Sequence, residues 1–252
     1  MPKPPPLSQS WLSTEPKGQS GHAVWHVDLE GLPPVGPDAP CWLSSDEQEQ
    51  AARFLRQADR ERFVRSHQAL RYVLGAYLGR APEALRFRAG PQGKPELDGS
   101  NRDRLPFNLS HSGRHVLIGI GGPAIGVDVE ACRPIGDPLA IARAHFHPGE
   151  VADLTRLSGS ERIGAFFRCW TRKEAVVKAL GLGLSLALDR FRVAVTPSEA
   201  ALLCWEQPDP SEEGWSLHDL DLGPDAAGAV AIPRAGTPCA RYRLPPTWAE
   251  TN

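Results

Sequence analysis

Asp128 and Glu130 flank Val129 in "AIGVDVE", residues 124–130, so on a strand both carboxylates leave from one face while Ile125, Val127 and Val129 turn to the other. Two like charges so close require a cation, basic side chains or bulk water between them. Glu174 and Lys178 stand four residues apart in "FFRCWTRKEAVVKALG", residues 166–181, and share one helical face with Trp170 a turn earlier. Taken singly, the first pair reads as a solvated strand face and the second as a surface salt bridge worth a few tenths of a kcal/mol at about 0.3–0.5. Taken together, Asp128, Glu130 and Glu174 make an all-oxygen ligand set suited to Mg²⁺, with Lys178 as a cation facing phosphate. Ser110 and His111 in "FNLSHSG" and Lys94 in "QGKP" supply hydrogen-bond donors and charge for the same anion. A nucleophilic serine is not indicated, because no G-x-S-x-G elbow occurs.

The elements that must position these groups come as a duplication. "VWHVDLE" (24–30) parallels "AIGVDVE" (124–130), and the helical stretch 44–79 parallels 147–183. The helices align by Leu74-Gly75 with Leu180-Gly181, "ALRFRAG" (84–90) matches "LDRFRVAV" (188–195), and "HVLIGIGG" (115–122) matches "AGAVAIP" (227–233). The expected fold is α+β, a pseudo-dimer of two similar halves with the active site at their seam. The expected divisions are a disordered Pro-rich lead-in over 1–21, an N-terminal half over 22–122, a C-terminal half over 123–245 and a tail over 246–252. In this alignment Asp28 and Glu30 stand at the places of Asp128 and Glu130, but Gln68 faces Glu174 and Tyr72 faces Lys178, so one active site per chain is expected.

Composition narrows the partners. A chain of 252 residues has ample material for a core, and a net charge of -2 gives no basic field for nucleic acid, so any anion must be met by a local cluster. No segment has the length of a membrane span or the apolar stretch of a secretory signal, and a cytoplasmic monomer is expected. The cysteines, five and widely separated, fit neither a disulfide framework nor a zinc site.

"GKP", "FNLSHS", "IGVDVE" and "WTRKEAVVKALGLGL", in this order, resemble the motif set of 4′-phosphopantetheinyl transferases of the surfactin-synthetase type, in which one chain holds two fused repeats. The resemblance spans about residues 22–233. It implies transfer of the phosphopantetheine arm of coenzyme A to a serine of an apo acyl, aryl or peptidyl carrier protein, with release of 3′,5′-ADP. It further implies that Asp128, Glu130 and Glu174 hold Mg²⁺, that Glu174 and Lys178 are catalytic, and that Lys94, Ser110, His111 and Lys178 hold the nucleotide and its phosphates. Arg65 and Arg88 match looser positions for the 3′-phosphate and adenosine region, and Glu96 stands where the family has an aromatic after "GKP". Residues 133–147 are the expected receiving surface for the carrier. A metal-dependent phosphodiesterase using Asp128, Glu130 and Glu174 is the alternative, and a non-catalytic binding module the third reading.

Overall fold

The computed structural model describes residues 21–30, 32, 42–90, 94–99, 105–122, 124–197, 200–206 and 208–250. The expected lead-in lies outside the described residues, save for Gly21. The first half runs β1 (His22–Asp28), α1 (Ser45–Ala52), α2 (Gln57–Leu78), β2 (Phe87–Ala89), β3 (Pro95–Leu97), β4 (Phe107–Ser112) and β5 (His115–Ile120). The second repeats it as β6 (Gly126–Ala131), α3 (Pro138–His145), α4 (Pro148–Thr155), α5 (Gly159–Leu180), β7 (Phe191–Val193), β8 (Leu202–Trp205), β9 (Ser216–Leu220) and β10 (Ala226–Ile232). The antiparallel order β1-β5-β4 in one sheet is matched by β6-β10-β9 in the other. Between the sheets lies a shared core in which Val24 and Leu117 meet Ile125, Val127, Val129 and Val230, while α2 and α5 cover the outer faces.

The duplication has an addition. A further strand, β11 (Cys239–Arg243), pairs in parallel with β1, and Tyr242, Leu244 and Trp248 are buried in the first half's core, where Tyr242 stacks on Trp25 at 4.5 Å. Residues 239–248, grouped by sequence order with the second half and tail, therefore belong to the first half by packing. Local pattern could not reveal this, because a parallel partner from the far end of the chain leaves no turn between the strands.

α2 and α5 each span 22 residues and each ends on a left-handed glycine, Gly79 at φ 62° and Gly181 at φ 68°, where a Cβ would be strained. Gly75 lies inside α2, with no room for a Cβ beside the Arg80 carbonyl. The alignment of Gly75 with Gly181 is thus corrected by one helical turn. Arg71 now stands opposite Lys173, and each is a buried cation of its half. Arg71 donates to Glu47 at 2.6 and 2.9 Å and lies 4.9 Å from the Phe87 ring centroid. Lys173 donates to Glu150 at 2.7 Å and lies 4.3 Å from the Phe191 centroid. Both carboxylates also close capping boxes, Glu47 with Ser44 before α1 and Glu150 with His147 before α4. One ion pair per half therefore ties the long helix to the short helix and to the strand that follows.

Lys173→Met leaves Glu150 buried without its cation and should destabilise the fold by about 3–5 kcal/mol, much of it recovered in Glu150→Gln, Lys173→Met. Urea unfolding of both variants checks this. Glu47 gives a pH test. Burial alone would raise its carboxyl, but bonds from His67, Arg71 and the Ser44 amide outweigh it and bring the pKa from an ordinary 4.5 down to about 2. The folded state keeps Glu47 ionised where the unfolded chain gains a proton, so this stabilisation is complete above the ordinary value and lost as pH falls toward about 2. Between about pH 5 and 3 the urea midpoint should fall more steeply in the wild type than in Glu47→Gln.

Candidate active site

β4 and β6 belong to different sheets but run beside each other, and side chains replace the missing backbone ladder. Asn108, Ser110 and Ser112 alternate along β4 and so share a face. Asn108 Oδ1 accepts from the Val127 amide at 2.8 Å, Ser110 Oγ from Val129 at 3.3 Å and Ser112 Oγ from Ala131 at 3.1 Å. Buried edge amides of β6 would otherwise lack acceptors.

The other face of β6 turns to α5. A Cβ on Gly126 would collide with the Ala175 carbonyl and the Ala179 amide, so glycine there permits the close approach. Asp128, next on that face, accepts from Ser110 Oγ at 2.9 Å and from Lys178 Nζ at 2.5 Å, and its Oδ2 is buried without a partner among the described residues. Glu130 Oε2 accepts from Ser112 Oγ at 2.8 Å. Glu174 lies half-buried on α5 one turn before Lys178. All three carboxyls are raised above their ordinary values. Burial is the main cause for each; Asp128 and Glu130 raise Glu174 further, and for Asp128 burial outweighs the contact with Lys178.

A cavity of about 460 Å³ opens beside this cluster, lined by Lys94, Ser110, His111 and Lys178 and by Gln50, His67, Phe107 and Asn108. Lys94 Nζ donates to the Lys178 carbonyl at 3.1 Å, which fixes the "GKP" turn against the end of α5. Lys94 and His111 both have lowered pKa values, from desolvation first; Lys178 lowers both further, and His67 and Arg62 add to the effect on His111. The Ser110 hydroxyl has one proton, given to Asp128, and accepts from the Val129 amide and Lys178 Nζ at 3.1 Å. Through these bonds Ser110 orients Asp128 and Lys178.

Two other expected residues stand outside the cavity lining. Arg65 is buried on α2 with Nη1 on Gln68 at 3.3 Å, outside the cavity lining. Arg88 faces Glu96 across the β2–β3 pair at 2.9 Å, which also explains an acidic residue after "GKP". The metal set is looser than expected: among the described residues no three His, Cys, Asp or Glu side chains stand close enough to hold an ion as they lie. Lys178 and Ser112 each take one oxygen, of Asp128 and of Glu130 respectively. The first half places its own acidic pair on another face. Ala23, Trp25 and Val27 of β1 pack on α2, so Asp28 and Glu30 leave from the opposite face and meet Arg114. At the corrected positions opposite Glu174 and Lys178 stand Tyr72 and Ala76. His67, Gln50 and Asn108 were missed as lining residues, although the N-x-S-x-S alternation in "FNLSHS" carried a signal for Asn108.

Residues 124–231 match the family model of the 4′-phosphopantetheinyl transferase superfamily, and residues 39–120 match that of the 4′-phosphopantetheinyl transferase N-terminal region. Similarity to the 4′-phosphopantetheinyl transferase HetI of a Nostoc species extends over 94% of this chain and 93% of that protein at 37% identity. The chain belongs to the 4′-phosphopantetheinyl transferase superfamily. The transferase Sfp of Bacillus subtilis is 33% identical over 76% of this chain and 84% of its own length. Both halves of the transferase are thus matched, and the phosphodiesterase alternative finds no support. No helix among the described residues is long and apolar enough to cross a membrane.

The seam predicts its own weakness. Asn108→Leu and Ser110→Ala each leave a buried β6 amide without an acceptor and should lower stability by about 1–3 kcal/mol. The expected reading is a lower urea midpoint at an unchanged slope, and an unmoved midpoint would place the cohesion of the halves elsewhere.

Proposed function

We propose that this transferase moves the 4′-phosphopantetheine arm of coenzyme A onto a serine of an apo acyl or peptidyl carrier protein and releases 3′,5′-ADP. The observation that supports this reading best is the Asp128–Lys178–Ser110 cluster opening on a cavity flanked by Lys94 and His111, in a chain whose two halves both match the family. The reaction makes a bond from the carrier serine Oγ to the β-phosphorus of coenzyme A and breaks the bond to the bridging oxygen, which leaves on the α-phosphate. Glu174, whose raised pKa suits proton uptake, takes the serine proton directly or through water. Lys178 meets the negative charge that builds on the departing diphosphate oxygen, while Lys94 and His111 hold the phosphates. Catalysis here is chiefly positioning and charge stabilisation.

Asp128, Glu130 and Glu174 are our proposed Mg²⁺ ligands. Their donor atoms are hard oxygens, the buried Asp128 Oδ2 is open, and three carboxyls under mutual repulsion favour a cation among them. A bound Mg²⁺ would offset diphosphate charge and leave positions for its oxygens. Residues 133–147, with Ile141 exposed on α3, are our candidate surface for the carrier, and we place the enzyme in the cytoplasm as a monomer.

The experiment is to incubate the protein with Mg²⁺, coenzyme A and an apo carrier, and to weigh the carrier by intact-mass spectrometry. A phosphopantetheine mass gain with 3′,5′-ADP release is expected, and no gain on any carrier class would overturn the reading. Glu174→Gln should slow transfer by at least about a hundredfold while the protein stays folded. Asp128→Asn, Glu130→Gln should nearly abolish transfer, whereas Asp28→Asn, Glu30→Gln should stay within a few-fold of wild type. Equal losses in the two folded double variants would defeat the single-site assignment.

A further inference from the structure

Glu130 is held at the end of the seam, where β4 runs out. Ser112 is the last residue of β4; its Oγ accepts from the Ala131 amide at 3.1 Å and donates to Glu130 Oε2 at 2.8 Å. Just beyond it the chain turns through Gly113, at φ 57°, into β5. A strand end linked to its neighbour by side chains opens more easily than one inside a backbone ladder, and opening here would turn Glu130 away from Asp128. Arg62 of α2 donates to the Gly113 carbonyl at 2.8 Å and so holds the turn from within the first half. Asp225, in the turn before β10, holds it from the second. Its carbonyl accepts from the Cys132 amide at 2.7 Å, and the next two residues, Ala226 and Ala227, pair with Ala131 and Glu130. Its carboxylate Oδ2 lies 3.3 Å from Arg114 Nε and 3.5 Å from His115 Nε2.

Asp225 thus touches both sides of the Ser112–Glu130 link. Its backbone is fixed to the strand that carries Glu130, and its side chain meets the hairpin that carries Ser112. The hairpin offers firm partners: His115 is buried with Nδ1 3.0 Å from His26 Nε2, and Arg114 also meets Asp28 and Glu30. Asp28 and Glu30 belong to the first half, so they anchor Arg114 without drawing it to β6. Gly113 fits the same closure, because a Cβ there would stand 3.0 Å from the Ala131 Cβ. We infer that Asp225 is a positioning residue for Glu130, keeping Ser112 against β6 through Arg114 and His115, an assignment that rests on the ligand set proposed above. Groups that orient a metal ligand from behind commonly change metal affinity by about 10–100-fold. The Asp225 carboxylate is half exposed, so the same contacts add little to global stability. The two effects are therefore separable.

The test sets Asp225→Ala against Asp225→Asn in the full chain. Both remove the charge, but the Asn side chain can still accept from Arg114. Two quantities are read: exchange of the Ala131 amide by nuclear magnetic resonance in metal-free protein, and Mn²⁺ affinity by electron paramagnetic resonance with coenzyme A present. In Asp225→Ala the Ala131 amide should exchange at least about tenfold faster and Mn²⁺ should bind at least about tenfold more weakly, while Asp225→Asn stays within about threefold of wild type in both. Equal weakening of Mn²⁺ binding in the two variants would mean that Asp225 acts by its charge alone, and would overturn the assignment. A lower urea midpoint with exchange and affinity unchanged would mean a merely structural role, and would overturn it too. A wild type that binds Mn²⁺ no better than Asp225→Ala refutes only this inference. A wild type that holds no Mn²⁺ refutes the proposed ligand set and this inference with it.

Discussion

Among the described residues β6 has one edge that no strand covers with backbone, and the fold closes it with Asn108, Ser110 and Ser112. An edge strand buried between two halves must find acceptors for its amides or it costs stability at each one. Side-chain acceptors solve this, and Ser110, one of them, also lines the cavity together with Lys178. The same hydroxyls that satisfy Val129 and Ala131 also donate to Asp128 and Glu130. Cohesion of the halves and orientation of the acidic pair are therefore one set of hydrogen bonds.

The charge arrangement follows from that constraint. Asp128 is nearly sealed from water and faces Lys178, yet burial still holds its carboxyl above the ordinary range. Glu130 and Glu174 are raised for related reasons. A site in this condition gains from a cation and from an anionic substrate with more than one phosphate. Near-duplicate scaffolding serves different ends in the two halves. The buried pairs Glu47–Arg71 and Glu150–Lys173 fasten both long helices alike, but only the second sheet turns its carboxylates toward its helix.

Much of this was legible in the sequence. The period of two in "AIGVDVE" gave one face to Asp128 and Glu130, and the i,i+4 spacing of Glu174 and Lys178 put them on one side of α5. What failed did so for physical reasons. "VWHVDLE" and "AIGVDVE" look alike, but a shift of one residue reverses every side chain on a strand, and Trp25 rather than Asp28 faces α2. Gly75 resembles a helix end, although only the φ of Gly79 marks the stop. The charge of Arg65 and Arg88 does not tell which neighbours they meet; Arg65 Nη1 meets Gln68 and Arg88 meets Glu96. The return of β11 to β1 and the bond from His67 to Glu47 join segments whose spacing follows no local period.

The central claim is a duplicated scaffold with one site, built on the seam. The number of divalent ions held per chain tests it most directly, counted by electron paramagnetic resonance as Mn²⁺ is titrated into the protein with coenzyme A present. The account predicts one tightly held ion, lost in Asp128→Asn. Two ions of equal affinity, or a single ion that survives Asp128→Asn in the folded protein, would contradict it.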